Sequence, residues 1–179
     1  RENIYFESIL CAAILTGIQF LAGSMVGQLG ESPYILTPKG IFNNMLYIAP
    51  MLVVRETIRA YILGSYCIKP NIKAFIIVTA IMTITDLNYS SLFLTRNLED
   101  LTIYLAREVG PMLCQNIMLS YLALYGGAVA SLSYLAVIII FHWTSPILPV
   151  LNWLAEGAIG ILVPIFSLMF IIKKYEIQV

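Results

Sequence analysis

The feature that most constrains this chain is a set of apolar segments long enough to cross a membrane. The longest covers residues 109–143 and contains no Asp, Glu, Lys or Arg. A helix needs about 20 apolar residues to cross a hydrocarbon core roughly 30 Å thick, so this segment is too long for one crossing. Gly126 and Gly127 lie near its middle, and we expect two helices that meet at a glycine hinge. The composition agrees, since 60% of the residues are hydrophobic and only 11% are charged.

Further apolar segments occupy most of the remaining chain. The turn-forming stretches "GESPYILTPKG" and "KPNIK" separate them, and Thr37 is predicted to cap a helix that begins at Pro38. We predict an all-α fold, a polytopic helical bundle integral to the membrane, formed by residues 1–179 as a single domain. It contains six transmembrane helices, or five if the short helix 128–143 does not cross. The predicted spans are 8–29, 40–66, 72–94, 109–125, 128–143 and 153–172.

The segment "TRNLEDLTIYLAREVG" differs from the spans because charged and apolar residues alternate along it. This mixture is typical of a helix at the membrane surface, and we predict an interfacial linker helix here. Six spans place Arg1, Lys69, Lys73, Lys173 and Lys174 on one side, and Lys39, Arg96 and Arg107 on the other. The positive-inside rule then predicts a multi-pass protein of the plasma membrane with both termini in the cytoplasm. Five spans would move one terminus across.

Three charges interrupt the second predicted span, in the stretch "VVRETIRAYIL". At roughly 100° per residue, Arg55, Glu56 and Arg59 share one face of a helix. A charge at the bilayer centre costs roughly 2.5–3.5 kcal/mol on insertion scales, so this face is expected to point into the bundle. Glu56 and Arg59 form an i,i+3 pair, which leaves one arginine without a counter-ion. We predict that Asp86, in the third span, lies close to Arg55 or Arg59.

Two interpretations of this charged cluster remain open. In one, its face binds a ligand or takes part in catalysis. In the other it is structural, because the arginines pair inside the bundle or extend along apolar surface to a nearby interface. Glu156 in "NWLAEGAIG" is explained by a position at a helix N-terminus near the interface, where the helix dipole favours an anion.

The chain offers few residues for catalysis or metal binding. His142 is the single histidine, and Cys11, Cys67 and Cys114 are too far apart for a disulfide framework or a zinc pattern. The stretch "RETIRAY" resembles the motif of CAAX-type intramembrane endopeptidases but lacks their paired glutamates and additional histidines. We expect no metal and no cofactor. Ten basic residues balance ten acidic ones, which argues against nucleic acid as a partner.

Three segments taken together resemble a known family. They are "GESPYILTPKGIFNNMLYI" (30–48), "RETIRAYIL" (55–63) and "YLALYGGAVASLSYLAVIIIFHWTSPILPVLNW" (121–153). In order and spacing they are similar to the polytopic N-terminal membrane region of long type I signal peptidase-like proteins, and the resemblance covers most of residues 30–160. It implies a membrane domain that supports cleavage of signal peptides by a serine peptidase module with a Lys general base. The implied partners are the lipid bilayer, signal peptides and the peptidase module.

The chain departs from this family at the catalytic positions. The family nucleophile lies in a Ser-Met-x-Pro context, whereas "GSMVG" places Ser24 inside a predicted span without the proline. After Arg107 the only lysines are Lys173 and Lys174, so no residue is assigned as catalytic. Either the catalytic part lies outside these 179 residues, or the chain is a stand-alone relative that keeps only the membrane domain.

Two other functional classes remain open. The chain is also compatible with the substrate-binding membrane component of a vitamin or metal transporter, in which the charged cluster is the ligand site. A membrane scaffold subunit is the third possibility. Under the signal peptidase interpretation, we predict that the second, third and fourth helices form a groove for an apolar signal helix, shaped by Arg55, Glu56, Arg59 and Asp86.

Overall fold

The computed structural model describes residues 2–26, 29–65 and 72–176. The α-helices are α1 (Glu2–Val26), α2 (Pro38–Ser65), α3 (Ile72–Asp86), α4 (Tyr89–Leu94), α5 (Leu98–Tyr104), α6 (Gly110–Thr144) and α7 (Trp153–Glu176). A π-helical turn, Leu105–Val109, joins α5 to α6. Two short strands, β1 (Leu29–Glu31) and β2 (Ile147–Pro149), pair in an antiparallel ladder. Apart from this ladder the described elements are helical, as the sequence predicts.

Within the described residues, three helical segments are long and apolar enough to cross a membrane: Asn3–Val26, Leu98–Thr144 and Trp153–Lys174. Apolar side chains also cover the outer surface of the shorter helices. On α3, the side chains of Ile76, Ile77, Ile81 and Ile84 are each more than half exposed. A surface of this kind is costly in water and stable in lipid, which fits a membrane protein.

The long helix α6 is divided at Gly127, whose backbone is non-helical with φ 72° and ψ −174°. We call residues 110–126 α6a and residues 128–144 α6b. α6a runs alongside α7 in the same direction. Near the start of both helices Gly160 lies against Pro111, and the ends of both reach the start of α1, where Gly126 lies against Ile4 and Lys174 pairs with Glu7. A Cβ atom at Gly160 would be 2.6 Å from the Cβ of Pro111, so glycine is what lets these two helices approach closely.

α6b runs in the opposite direction to α6a. Its start is next to the start of α1, since Gly126 lies against Ile4. Its end is next to the end of α1, where the rings of Phe20 and Phe141 are 6.3 Å apart. α1 is antiparallel to α7, because a residue near its start, Glu7, forms an ion pair with Lys174 near the end of α7. The chain therefore reverses at Gly127, where the sequence predicts a hinge.

These directions define two ends of the bundle. The loop end contains the β-ladder, the π-helical turn and the start of α7. The terminal end contains the start of α1, the reversal at Gly127 and the end of α7. Buried apolar residues form one core between α1, α6 and α7, with Ala12, Met118, Leu122, Ala130 and Ile171 among its members. A second, smaller core joins α2, α3 and α6a and consists of Leu63, Val78, Met82 and Ala123.

Local sequence explains several element boundaries. The predicted cap at Thr37 is confirmed, because its Oγ1 accepts a hydrogen bond of 3.2 Å from the N–H of Gly40. The span predicted as residues 72–94 instead ends at Asp86, and α4 begins at Tyr89. Asn88 explains this break, since its Oδ1 accepts a 3.3 Å hydrogen bond from the N–H of Ser91 and so caps α4.

The linker segment also differs in detail from the prediction. α5 is not a separate helix but continues through the π-helical turn into α6. Pro111 has no N–H, so the carbonyl of Arg107, four residues earlier, loses its usual helical partner. The N–H of Gly110 donates to the carbonyl of Leu105, five residues earlier, which is the hydrogen bond of a π-helix. The strands Leu29–Glu31 and Ile147–Pro149 lie between the predicted spans, except that the sequence predicts Leu29 as the last residue of the first span, whereas α1 ends at Val26.

The reversal at Gly127 generates a stability prediction. Gly127→Ala is expected to destabilise the fold by about 1–3 kcal/mol, because a φ of 72° with extended ψ is accessible almost only to glycine. Gly17→Ala in α1 is the matched control. Neither glycine has a neighbouring atom where a Cβ would stand, but Gly17 is helical, so alanine should be neutral or slightly stabilising there. Unfolding of the purified proteins in detergent measures the change in the free energy of unfolding for each variant. Equal changes at the two positions would contradict the strain at Gly127.

Candidate functional site: a buried polar cluster

Three helices meet around a group of polar side chains in an otherwise apolar interior. α2 contributes Arg55, Glu56 and Arg59, which the helical period places on one face. α3 contributes Thr79 and Asp86, and α6a contributes Asn116 and Ser120. We call these seven residues the polar cluster. The whole side chains of Glu56 and Arg59 are buried, with 0% exposure, so these charges do not extend to either surface.

Arg55 and Asp86 form the ion pair that ties α2 to α3. The two guanidinium nitrogens Nη1 and Nη2 donate separately to Oδ1 and Oδ2 of the carboxylate, a two-point geometry that arginine favours. Nη2 also donates to the carbonyl of Met82, at 3.2 Å. Asp86 is the last residue of α3, where the helix dipole disfavours an anion, so this carboxylate depends on its cationic partner. Asp86 therefore lies beside Arg55, one of the two partners that the sequence left open.

Arg59 ties α2 to α6a. Its Nη1 donates to the backbone carbonyl of Asn116, at 3.1 Å, and to Oγ of Ser120, at 3.3 Å. Its Nη2 donates to Oδ1 of Asn116, at 2.6 Å, and lies 3.2 Å from Oε1 of Glu56. Arg59 thus combines the i,i+3 ion pair predicted from the sequence with hydrogen bonds to a second helix.

Asn116 connects the two arginines. Its Oδ1 accepts from Nη2 of both Arg59 and Arg55, the latter at 3.4 Å, and its Nδ2 donates to Oδ2 of Asp86, at 2.9 Å. Each polar atom of its amide therefore has a partner in the cluster. Because an amide both donates and accepts, it bridges a guanidinium and a carboxylate at once, which no charged side chain does.

Thr79, Asn116 and Ser120 are the members of the polar cluster that sequence reasoning missed. Ser120 is buried, and its Oγ accepts a 2.8 Å hydrogen bond from Oγ1 of Thr79 on α3. All three residues are uncharged, so a search for charges in apolar spans passes over them. A detectable signal was present, since Asn116 and Ser120 stand four residues apart within an apolar segment and therefore share one helix face.

Glu56 is the least satisfied member. Neither carboxylate oxygen of Glu56 has a hydrogen-bond partner among the described residues, and the same holds for Nε of Arg59. The charges nevertheless balance, because Arg55 and Arg59 face Glu56 and Asp86. A neutral group of four charges avoids much of the cost of placing an isolated ion in a low-dielectric interior.

The contacts of the polar cluster show what the group can do chemically. The donors on the terminal nitrogens of Arg55 and Arg59 are directed at protein oxygens from α2, α3 and α6a. Side chains therefore occupy the region where a bound solute would have to sit. The polar cluster therefore holds the three helices α2, α3 and α6a together. The groove predicted between these helices is filled by the cluster and by the core residues Leu63, Val78 and Met82.

Other candidate groups lie apart from the polar cluster. Ser24 is at the loop end of α1, and its Oγ donates to the carbonyl of Leu21 in its own helix, at 2.7 Å. Lys173 and Lys174 belong to the last turn of α7, at the terminal end, so they are far from Ser24 along the bundle. Nδ1 of His142 lies 2.8 Å from the carbonyl of Ile138, a contact within α6b. These positions provide no serine–lysine pair among the described residues.

Glu156 and Arg107 form an ion pair at the loop end. Nε of Arg107 donates to Oε2 of Glu156 at 2.6 Å, and the two side chains are 51% and 39% exposed. Glu156 lies in the first turn of α7, as expected for an acid that interacts with a helix dipole. Because both side chains are accessible, the ion pair of Arg107 with Glu156 contributes little to stability compared with the largely buried pair of Arg55 with Asp86.

No protein-family model matches this chain, and comparisons with curated proteins and with solved structures find no similar protein. The functional assignment consequently depends on the geometry described above and on the sequence.

A double-mutant cycle tests the ion pair of Arg55 with Asp86, which connects α2 to α3. Asp86→Leu is expected to lower the free energy of unfolding by about 3–5 kcal/mol, because it leaves Arg55 charged and unpaired in a largely buried position. Arg55→Met combined with Asp86→Leu should cost clearly less than the sum of the two single changes, since neither charge is then left alone.

The exposed pair provides the matched control for this cycle. Arg107→Met and Glu156→Leu should show coupling below about 1 kcal/mol. Unfolding in detergent, followed by helical circular dichroism, measures all of these variants. Additive effects of the changes at Arg55 and Asp86 would contradict the ion pair.

Proposed function

We propose that this chain is the six-crossing membrane domain of a signal peptidase I-like protein. In this proposal it receives the apolar segment of an exported precursor, and a serine peptidase module outside these residues cleaves the precursor. The single observation that carries the proposal is an apolar groove between α2 and α6b that extends to the loop end, where Ile41 and Thr144 line it. The sequence resemblance across residues 30–160 points in the same direction.

Support for six crossings comes from the helix directions. α1, α3 and α6b run towards the loop end, and α2, α6a and α7 run away from it. α2 fits this pattern because its start, near Ile41, lines a cavity together with Trp143 and Thr144 at the end of α6b. α6b has a length of roughly 25 Å at 1.5 Å per residue, which is slightly short for a typical hydrocarbon core. Local thinning of the bilayer accommodates such a mismatch at modest cost.

The groove has the character expected of a site for an apolar segment. It has a volume of about 310 Å³ and is lined by α2 and α6b residues, with Ile41, Ala49, Val53, Leu132, Ala136 and Trp143 among them. A signal peptide has an apolar region of 7–15 residues, which as a helix is roughly 10–22 Å long. From Ile41 to Val53 the groove follows α2 for roughly 18 Å, so its length suits such a region.

The polar cluster supports this proposal over a solute transporter. A solute site in a membrane bundle needs polar groups that face a cavity. Here the terminal nitrogens of Arg55 and Arg59 are bonded to protein oxygens, and Glu56 is completely buried. The cluster therefore fits a structural role, in which it holds α2 in the position that forms one wall of the groove.

Labelling of single cysteines tests the six crossings. In a background without Cys11, Cys67 and Cys114, Asn97→Cys precedes the continuous helix formed by α5 and α6, and Ser145→Cys follows it. If α6a and α6b both cross, an impermeant maleimide added to intact cells labels both positions, whereas Lys173→Cys is labelled only after permeabilisation. Labelling of residues 97 and 145 from opposite sides would contradict the double crossing.

Photo-crosslinking tests the groove. With a benzophenone amino acid in place of Met45, at the rim of the groove, we expect ultraviolet-dependent crosslinks to the apolar region of a precursor in cells. The same substitution at Ile81 on α3 is the control, since the two side chains are similarly exposed, at 58% and 54%. Ala136→Trp should reduce the crosslink several-fold by filling the groove. Equal crosslinking at Met45 and Ile81 would contradict the proposal.

A further inference from the structure

A second apolar cavity lies on the opposite side of the bundle, between α1 and α7. It has a volume of about 290 Å³, and its rim is formed by exposed side chains that include Leu10 and Ile14 of α1 and Phe166 and Phe170 of α7. Its floor contains the buried residue Ser167. Along α1 the cavity extends from Leu10 to residue 18, which is roughly 12 Å at 1.5 Å per residue. It is therefore a groove open to the outer surface of two apolar helices.

The terminal end of this groove is basic. On α7 its lining residues are 163, 166, 167 and 170, so the next positions of the same helical stripe are Lys173 and Lys174. The contact of Lys174 with Phe170 agrees with this placement, since its Nζ lies 5.9 Å from the centre of the ring. On α1 the corresponding position is Glu7, three residues before Leu10.

Next to the groove at this end, the charged side chains that the structure describes are Glu7, Lys173 and Lys174. Lys174 pairs with the buried carboxylate of Glu7, which neutralises both. Lys173 is exposed, and none of the ion pairs among the described residues includes it. An apolar groove that ends at an exposed ammonium group, outside the ion pairs of the described residues, is complementary to a molecule with an apolar chain and an anionic head.

We propose that the groove between α1 and α7 binds an anionic phospholipid, with an acyl chain along Leu10, Ile14 and Phe166 and the phosphate beside Lys173. Basic residues at the ends of membrane helices reach the headgroup level, and basic sites between such helices select anionic lipids. The inference rests on the proposed placement of the bundle in a bilayer. It is independent of the signal peptide groove, which is formed by α2 and α6b.

Quenching of tryptophan fluorescence by brominated lipids tests this site. Trp143 and Trp153 are replaced by Phe, and Phe166→Trp supplies a single fluorophore at the groove. The protein is reconstituted in phosphatidylcholine vesicles that contain brominated phosphatidylglycerol or brominated phosphatidylcholine at equal mole fraction. One basic residue near the surface contributes enough for about a five-fold preference, so we expect phosphatidylglycerol to quench with an association constant about five-fold larger.

Two controls separate the possible results. Lys173→Gln should remove the preference, and it leaves the ion pair of Lys174 with Glu7 intact. Ile81→Trp, used in place of Phe166→Trp, places the fluorophore on the exposed face of α3 and should show equal quenching by both lipids. Equal quenching at the Phe166→Trp position would overturn the lipid site while leaving the membrane placement intact. Failure of both lipids to quench at either position would overturn the membrane placement itself.

Discussion

The structure depends on the neutralisation of charge inside an apolar helical bundle. Arg55 and Arg59 each carry a permanent charge, and the bundle surrounds them with residues that cannot solvate an ion. Asp86, Glu56 and the amide of Asn116 supply what water would otherwise supply. Because these partners come from different helices, satisfying the arginines also fixes the positions of α2, α3 and α6a relative to one another.

The apolar contacts and the polar contacts have different roles in this arrangement. In a bilayer, lipid tails and buried leucines are similarly apolar, so burial of apolar surface does not by itself select one helix partner over another. Close contacts such as that of Gly160 with Pro111 set how near the helices come, and hydrogen bonds such as that of Thr79 with Ser120 favour one register. The polar cluster thereby positions α2 as one wall of the proposed groove, while the other wall depends on the reversal at Gly127.

The sequence predicted much of this fold because helix formation and burial of charge are local or compositional properties. The shared face of Arg55, Glu56 and Arg59 follows from the helical period alone, and the doublet of glycines indicated where α6 divides. The β-ladder could not be predicted in the same way, because Leu29–Glu31 and Ile147–Pro149 are short and far apart in the sequence. The bridging role of Asn116 likewise depends on tertiary contacts, since its sequence neighbours do not show which helices it will face.

Disulfide crosslinking between α3 and α6a tests most directly whether the polar groups face one another inside the bundle. Oγ1 of Thr79 and Oγ of Ser120 are 2.8 Å apart, so Thr79→Cys combined with Ser120→Cys brings two thiols within bonding range in a background without Cys11, Cys67 and Cys114. We expect rapid disulfide formation on mild oxidation in native membranes, and none when Ile81→Cys replaces Thr79→Cys. Absence of the bond in the Thr79 and Ser120 pair, with both thiols reactive towards reagents from the lipid or water phase, would contradict the account.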